Sequence, residues 1–248
     1  LCPVTLELGG KNPNIIMSDA DLEIAIPGVI DGMRYTRQGQ ACTAGSRVYI
    51  HEKIYDKVLE GAVDKLSKLK MGNALDETSD IGAIISEEQL KRTLYYMDIA
   101  KKNSSTDILH GGNQSKGGEY KDGFYYEPTL LSGLPVSSPV CQEEVFGPVA
   151  CAIPFKSFDE VMKSANDTQF GLSAVLWTKD LSRALQFVDE IEAGFVQVNQ
   201  CVAPRANVSY GGIKMSGLGK EYAFDSMMNH FTQSKTVLIN RGKSNLDV

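Results

Sequence analysis

A run of apolar and β-branched residues, RVYIHE at 47–52, is followed at once by Tyr55, Val58, Leu59, Ala62, Val63, Leu66 and Leu69, which recur with the 3.6-residue period of a helix. The same pairing returns along the chain. TDILHGG, VFGPVACAIPF, FGLSAVLWT and GFVQVNQ read as strands. Amphipathic helices are expected through Leu90, Leu94, Met97 and Ala100, through Phe158, Val161, Met162 and Ala165, and through Leu181, Ala184, Leu185, Val188 and Ile191. Mostly apolar strands have both faces covered, so this alternation predicts an α/β fold: a mostly parallel twisted sheet flanked by helices.

Local signals place the ends of the elements. The opening LCPVTLEL looks like a buried strand. Ser18 is expected to cap a short helix in DADLEIA, with Pro27 breaking it before a second helix that runs toward Arg37. Ser86, with Glu88 and Gln89 behind it, starts a helix that ends by Asn103. GGNQSKGGEYKDG is a glycine-rich surface loop too irregular to cradle a phosphate. The tail departs from the alternation: YGGIKMSGLGKE is glycine-rich, and FTQSKTVLIN at 231–240 reads as an exposed extension strand of the kind that pairs outside its own core.

Charge and cysteine usage narrow the function classes. The 25 lysines and arginines against 31 carboxylates give a net charge of −6, and no basic run suits a phosphate backbone, so no nucleic-acid partner is expected. No apolar run reaches the roughly 18–20 residues that cross a bilayer, and no membrane association is expected; a cytoplasmic or organelle-matrix protein is. The five cysteines are odd in number, scattered and free of any CxxC pair, which argues against a disulfide framework and against a zinc or other metal site. The start at Leu1, directly in a strand pattern, suggests a piece of something larger.

Three stretches could carry chemistry. In GQACTAGSR, Cys42 is, by residue type alone, more often a small buried filler than a nucleophile. Against that, Gly39 allows an unusual backbone at a helix-to-loop junction, and the small residues after Cys42 leave room around the sulfur. A cysteine hydrolase would need a histidine, and of His51, His110 and His230 none has a recognisable setting; His51 and His110 read as surface residues. In TLELGGKNP, Glu7 is either the solvent-facing member of a strand or a partly desolvated carboxylate at the strand's end, with a raised pKa suited to a general base. In CQEEVFGPVA, Gly147–Pro148 fixes a turn behind two carboxylates, which alone is a charged turn beside a core phenylalanine.

In this order and at these spacings, LELGGKNPNII, GQACTAGSR, EEVFGPV and YGGIKMSGLGKE resemble the aldehyde dehydrogenase superfamily, over essentially the whole chain but only the C-terminal half of that family's pattern. The resemblance implies that Cys42 is the nucleophile that forms a thiohemiacetal and then a thioester, and that Glu7 is the base that activates the hydrolytic water. The Cys42 backbone N–H is then one oxyanion donor. NAD or NADP is the implied cofactor, with Glu144 on the nicotinamide ribose, Phe146 packed nearby, the Leu8 main chain at the nicotinamide amide, and Gln89 and Arg92 touching the ribose; Arg92 replaces a commoner lysine. The implied substrate is a small aldehyde.

The resemblance further implies a division of the chain and an assembly. Residues 1–11 are the last strand and base-bearing loop of a truncated coenzyme domain, 12–215 the catalytic domain, and 216–248 a C-terminal segment whose strand near 231–240 joins subunits into a homodimer or homotetramer. Two departures stand out: Ser209–Tyr210 replaces the family's Pro-Phe pair before the double glycine, and Pro27 lies in the helix leading to Cys42. Arg205 reads as a solvated loop cation, with pairing to an acidic aldehyde as the sharper reading. Two other functions stay open from the sequence: a fragment that serves as a subunit-interaction module, and a weak thiol esterase using Cys42 and Glu7.

Overall fold

In the computed structural model, which describes residues 4–240, strands β1 (Leu6–Glu7), β2 (Pro13–Ile16), β3 (Arg47–His51), β4 (Asp107–His110), β5 (Thr129–Ser132), β6 (Val149–Phe155), β7 (Ser173–Trp177), β8 (Phe195–Val198) and β9 (Gly217–Leu218) succeed one another along the chain. Strands β2 to β8 form one seven-stranded sheet in the order β8-β7-β2-β3-β6-β5-β4. Every pairing in it is parallel except that of the edge strand β4 with β5. The α/β fold with a mostly parallel sheet is therefore as expected. All five residues of β3 are buried, which fits a central strand covered on both faces.

Helices α1 (Leu22–Met33) and α2 (Tyr55–Ser67) cover one face, over a core that includes Ile16, Val29, Val48, Ile50, Val58 and Ala62. Helices α3 (Glu87–Lys102), α4 (Pro139–Gln142), α5 (Phe158–Asn166) and α6 (Leu181–Glu190) supply the other, with Met97, Val140, Val161 and Phe187 packed on Ile15, Tyr49 and Cys151. The largest fully buried side chain in the sheet, Arg47, is matched by carbonyls: Nε donates to Lys11 at 2.8 Å, Nη1 to Ser164 at 3.2 Å and Nη2 to Ala165 at 2.9 Å. A buried cation is tolerated when its donors are satisfied in this way. No helix among the described residues is long and apolar enough to cross a membrane.

Several expectations are corrected. Asp21, not Ser18, caps α1, its carboxylate accepting from Glu23 N–H at 3.1 Å, and Pro27 lies inside one continuous helix rather than between two. The proline removes the bond to the Glu23 carbonyl, but Glu23 is exposed in the first turn, where water replaces it. In place of a second helix there is a 3₁₀ turn, Tyr35–Arg37, between the left-handed residues Arg34 and Gln38. Helix α3 does start at Ser86, whose hydroxyl accepts from Gln89 N–H, but Leu94 is 37% exposed while Thr93 and Tyr96 are buried. On α6, Ala184, Phe187 and Ile191 face the sheet, and Leu181, Leu185 and Val188 face solvent. That helix carries two adjacent apolar stripes, and periodicity does not say which one meets the core.

The termini differ most. Of the expected buried strand LCPVTLEL, residues 1–3 lie outside the described residues, and only Leu6–Glu7 is paired, antiparallel to β9, with Leu6 and Leu8 exposed. This segment has no layer over it in the described residues. Helix α7 (Phe224–Phe231) is followed by 232–240, which is exposed and forms no strand. A strand requires a ladder partner, and the described residues assign none of this segment to a sheet. Residues 241–248 lie outside the description. His51, expected at the surface, is 8% exposed, with Nδ1 accepting from Lys53 N–H and its ring edge-on to Phe155.

Candidate active site

The adjacency of β2, β3 and β6 brings together the three loops that enter them. Pro13 is level with Arg47, and Arg47 with Cys151, so the segments leading in, LELGGKN, GQACTAGS and EEVFGP, arrive side by side at the amino ends of parallel strands. Gly9 and Gly10 are where they touch. Gly10 N–H donates to Glu144 Oε1 at 3.0 Å. A Cβ at Gly9 would overlap the Glu144 carboxylate, and one at Gly10 would stand 2.6 Å from the Cys42 carbonyl oxygen. Only residues without a side chain admit both neighbours.

The loop carrying Cys42 is pinned from beneath. Asn12 Nδ2 donates to the Cys42 carbonyl at 2.8 Å and to that of Ala44 at 2.9 Å, while its Oδ1 accepts from Ser173 N–H at 2.9 Å. Gly45 N–H donates to the Gly32 carbonyl at 2.8 Å, tying the loop to the end of α1. Gly39 has φ +64°, and a Cβ there would overlap the Gly147 carbonyl. Gly39→Ala is therefore expected to destabilise the protein by about 2–4 kcal/mol, from left-handed strain plus a backbone collision. Urea unfolding measures it, and a midpoint unchanged from the parent would contradict the packing described.

Cys42 is half-buried, and its Sγ lies 3.6 Å from Tyr210 Oη. Tyr210 is 5% exposed, locked by backbone bonds to Glu221 and set edge-on between Phe195 and Tyr222. Burial first, then the contact with Cys42 and the charge of Glu7, push its phenol well above the ordinary range, so it stays protonated. Glu7 stands on the other side: a Cβ at Gly211 would be 2.9 Å from Glu7 Oε1. Its side chain is exposed rather than sealed in a strand end. Partial burial and then the charge of Glu221 nevertheless raise its pKa, against an opposing pull from Lys220. Cys42, Tyr210 and Glu7 thus form one cluster.

The residues expected to hold a cofactor also converge. Glu144 is half-buried, and burial raises its pKa despite the Gly10 N–H. Its Oε1 is taken by Gly10, and Oε2 has no partner among the described residues, leaving an acceptor for a hydroxyl. Phe146 is held at φ +55°, a cost met by helix α3: Gln89 Nε2 donates to the Val145 and Phe146 carbonyls at 3.0 and 2.8 Å, and Arg92 Nη2 to the Glu144 carbonyl at 2.5 Å. Tyr96 Oη adds a bond to Glu143 Oε2 at 2.7 Å. Gln89 and Arg92 therefore grip the turn that bears Glu144. Leu8 N–H donates to the Ser216 carbonyl at 3.0 Å, and its own carbonyl has no partner among the described residues. Glu144 Oε2 and the Leu8 carbonyl are thus two acceptors open to hydroxyl or amide donors of a ligand. A surface cavity of about 570 Å³, lined by Lys70, His110, Glu119 and Glu127 among others, is elsewhere and contains none of these groups.

Asn12 and Tyr210 escape the sequence reading as site residues. Asn12 gives no signal beyond its place after GGK. Tyr210 shows only as a polar replacement where the resembling family has phenylalanine.

Comparison with known proteins places the chain in a family. The family model described as "Aldehyde dehydrogenase family" matches residues 1–237. An aldehyde dehydrogenase of Rhodospirillum rubrum is 40% identical over 245 residues, which are 96% of this chain and 48% of that protein. A betaine aldehyde dehydrogenase of Brucella melitensis is 38% identical over 240 residues, 97% of this chain and 49% of that protein. The solved NAD+ complex of aldehyde dehydrogenase from Bacillus cereus superposes with a TM-score of 0.87 at 36% identity, covering 92% of this chain and 45% of that one. The chain spans about half the length of the curated relatives it matches.

Proposed function

The chain belongs to the aldehyde dehydrogenase family, and from that premise we propose that it carries the catalytic half of an enzyme oxidising an aldehyde to a carboxylic acid with NAD or NADP. One observation supports the reading: the Gly9–Gly10 pair, two residues along the chain from Glu7, lies against both the Cys42 carbonyl and the Glu144 carboxylate.

Cys42 Sγ attacks the carbonyl carbon to give a thiohemiacetal, and the Cys42 N–H, which has no acceptor among the described residues, donates to the oxygen as charge develops there. A nicotinamide dinucleotide, when bound, supplies the acceptor for the hydride. Glu144 Oε2 and the Leu8 carbonyl would hold its ribose and amide, and Gln89 and Arg92 act from behind by fixing the 144–146 turn. The acyl group is left as a thioester on Cys42. Glu7 takes a proton from the water that attacks this thioester, and the acid leaves with the thiol restored.

In the same proposal, residues 1–11 belong to the coenzyme domain, 12–215 form the catalytic domain, and 216–248 carry a strand near 231–240 that pairs with a neighbouring subunit in a homodimer or homotetramer. The protein as encoded, with whatever sequence flanks these residues, is expected to reduce NAD or NADP when given simple aldehydes. Absorbance of the reduced nicotinamide across an aldehyde panel with both cofactors measures this, and no reduction with any pair would contradict it.

A further inference from the structure

We propose that Tyr210 is a positioning residue for Cys42, its phenol donating a hydrogen bond that holds the sulfur in its reactive, deprotonated form. The inference rests on Cys42 being the nucleophile. It goes beyond that reading in assigning to one hydroxyl a stabilising hydrogen bond to the thiolate, without the proton-accepting role that histidine has in cysteine hydrolases.

Four observations carry it. Tyr210 Oη is the one hydrogen-bond partner of the Cys42 sulfur among the described residues, at 3.6 Å. The phenol is a donor at working pH, because burial and its surroundings keep it protonated. The ring has a single well-defined place, 5% exposed, with centroids 5.5 Å from Phe195 and 5.6 Å from Tyr222, both edge-on. The charges around it make a donor necessary. Glu221 acts on Glu7, and Glu7 on Tyr210, so this side of the cluster already carries two carboxylates. Lys220, the nearby cation, has its Nζ directed to the Gly211 and Gly212 carbonyls. A hydrogen bond from a buried hydroxyl to a thiolate is charge-assisted, and Tyr210 is the donor placed to make it. No covalent chemistry passes through Tyr210, and its proton stays on the phenol.

The test is alkylation by iodoacetamide of the protein as encoded, between about pH 6 and 10, read by peptide mass spectrometry at Cys42 and, as an internal reference, at the half-buried Cys201. Tyr210→Phe keeps the ring and removes the donor. It is expected to slow Cys42 alkylation about five-fold near pH 7, with the gap closing toward the alkaline end and the rate at Cys201 unchanged. Tyr222→Phe, which removes a hydroxyl from the same aromatic stack, is expected to leave Cys42 at the parent rate. A Tyr210→Phe profile superimposed on the parent's would overturn the inference while leaving Cys42 as nucleophile. So would equal slowing at both cysteines across the pH range, the mark of a loosened structure. Cys42 reacting no faster than Cys201 in the unaltered protein would instead remove the premise, and the proposed function with it.

Discussion

Replacing Cys42 by alanine is expected to lower aldehyde-dependent nicotinamide reduction by at least about four orders of magnitude, with no comparable loss of folding. The size follows from the absence of a substitute among the described residues. Cys141 and Cys151 are buried in the core, and Cys201 is raised by burial and lies outside the Gly9–Gly10 crossing. Folding should hold because Asn12 grips the loop through the Cys42 carbonyl rather than its side chain. The measurement is steady-state reduction alongside thermal unfolding of both proteins. Activity within about ten-fold of the parent would move the nucleophile elsewhere.

Glu7→Gln is expected to act on one half-reaction. Loss of a general base costs about 10²–10⁴-fold, and here the loss should fall on thioester hydrolysis, with the first turnover little changed. Stopped-flow absorbance should therefore show a burst matching the concentration of active sites, followed by slow turnover. Equal slowing of both phases would place Glu7 outside the hydrolytic step. The pH dependence has a definite sign. The pKa of Glu7 is raised, by burial first and the Glu221 charge second, so its base form is lost, as pH falls, before that of an ordinary glutamate near about 4.3. Hydrolysis should decline on that displaced acid limb, and Glu221→Gln should move the limb to lower pH.

Much of the fold and of the site can be read from the chain because their determinants are local. RVYIH and its following helix announce a buried strand with its cover, and Ser86 starts α3 as its spacing requires. Gly39 and the Gly9–Gly10 pair mark places where a Cβ would collide, which is why the loops around Cys42 and Glu144 are recognisable as special. The misreadings share a physical origin in long-range packing. Pro27 breaks α1 on propensity alone, yet the helix packs as one piece against the sheet and α2. The outer stripe of α6 is as apolar as its inner one, and only the sheet's position decides between them. Residues 232–240 have a strand's composition but are exposed and assigned to no strand. Tyr210 lies far from Cys42 in sequence, and no spacing rule joins a phenol to a thiol across that separation.

The covalent intermediate on Cys42 is the centre of the account, and the Glu7→Gln protein should accumulate it. Mixing that protein with an aldehyde and NAD, quenching in acid within the burst and mapping the peptides by mass should show the acyl group of the chosen aldehyde on Cys42, sensitive to hydroxylamine and absent when Cys42 is also replaced by alanine. An unmodified Cys42 peptide during active nicotinamide reduction, or the acyl group on any other residue, would contradict it.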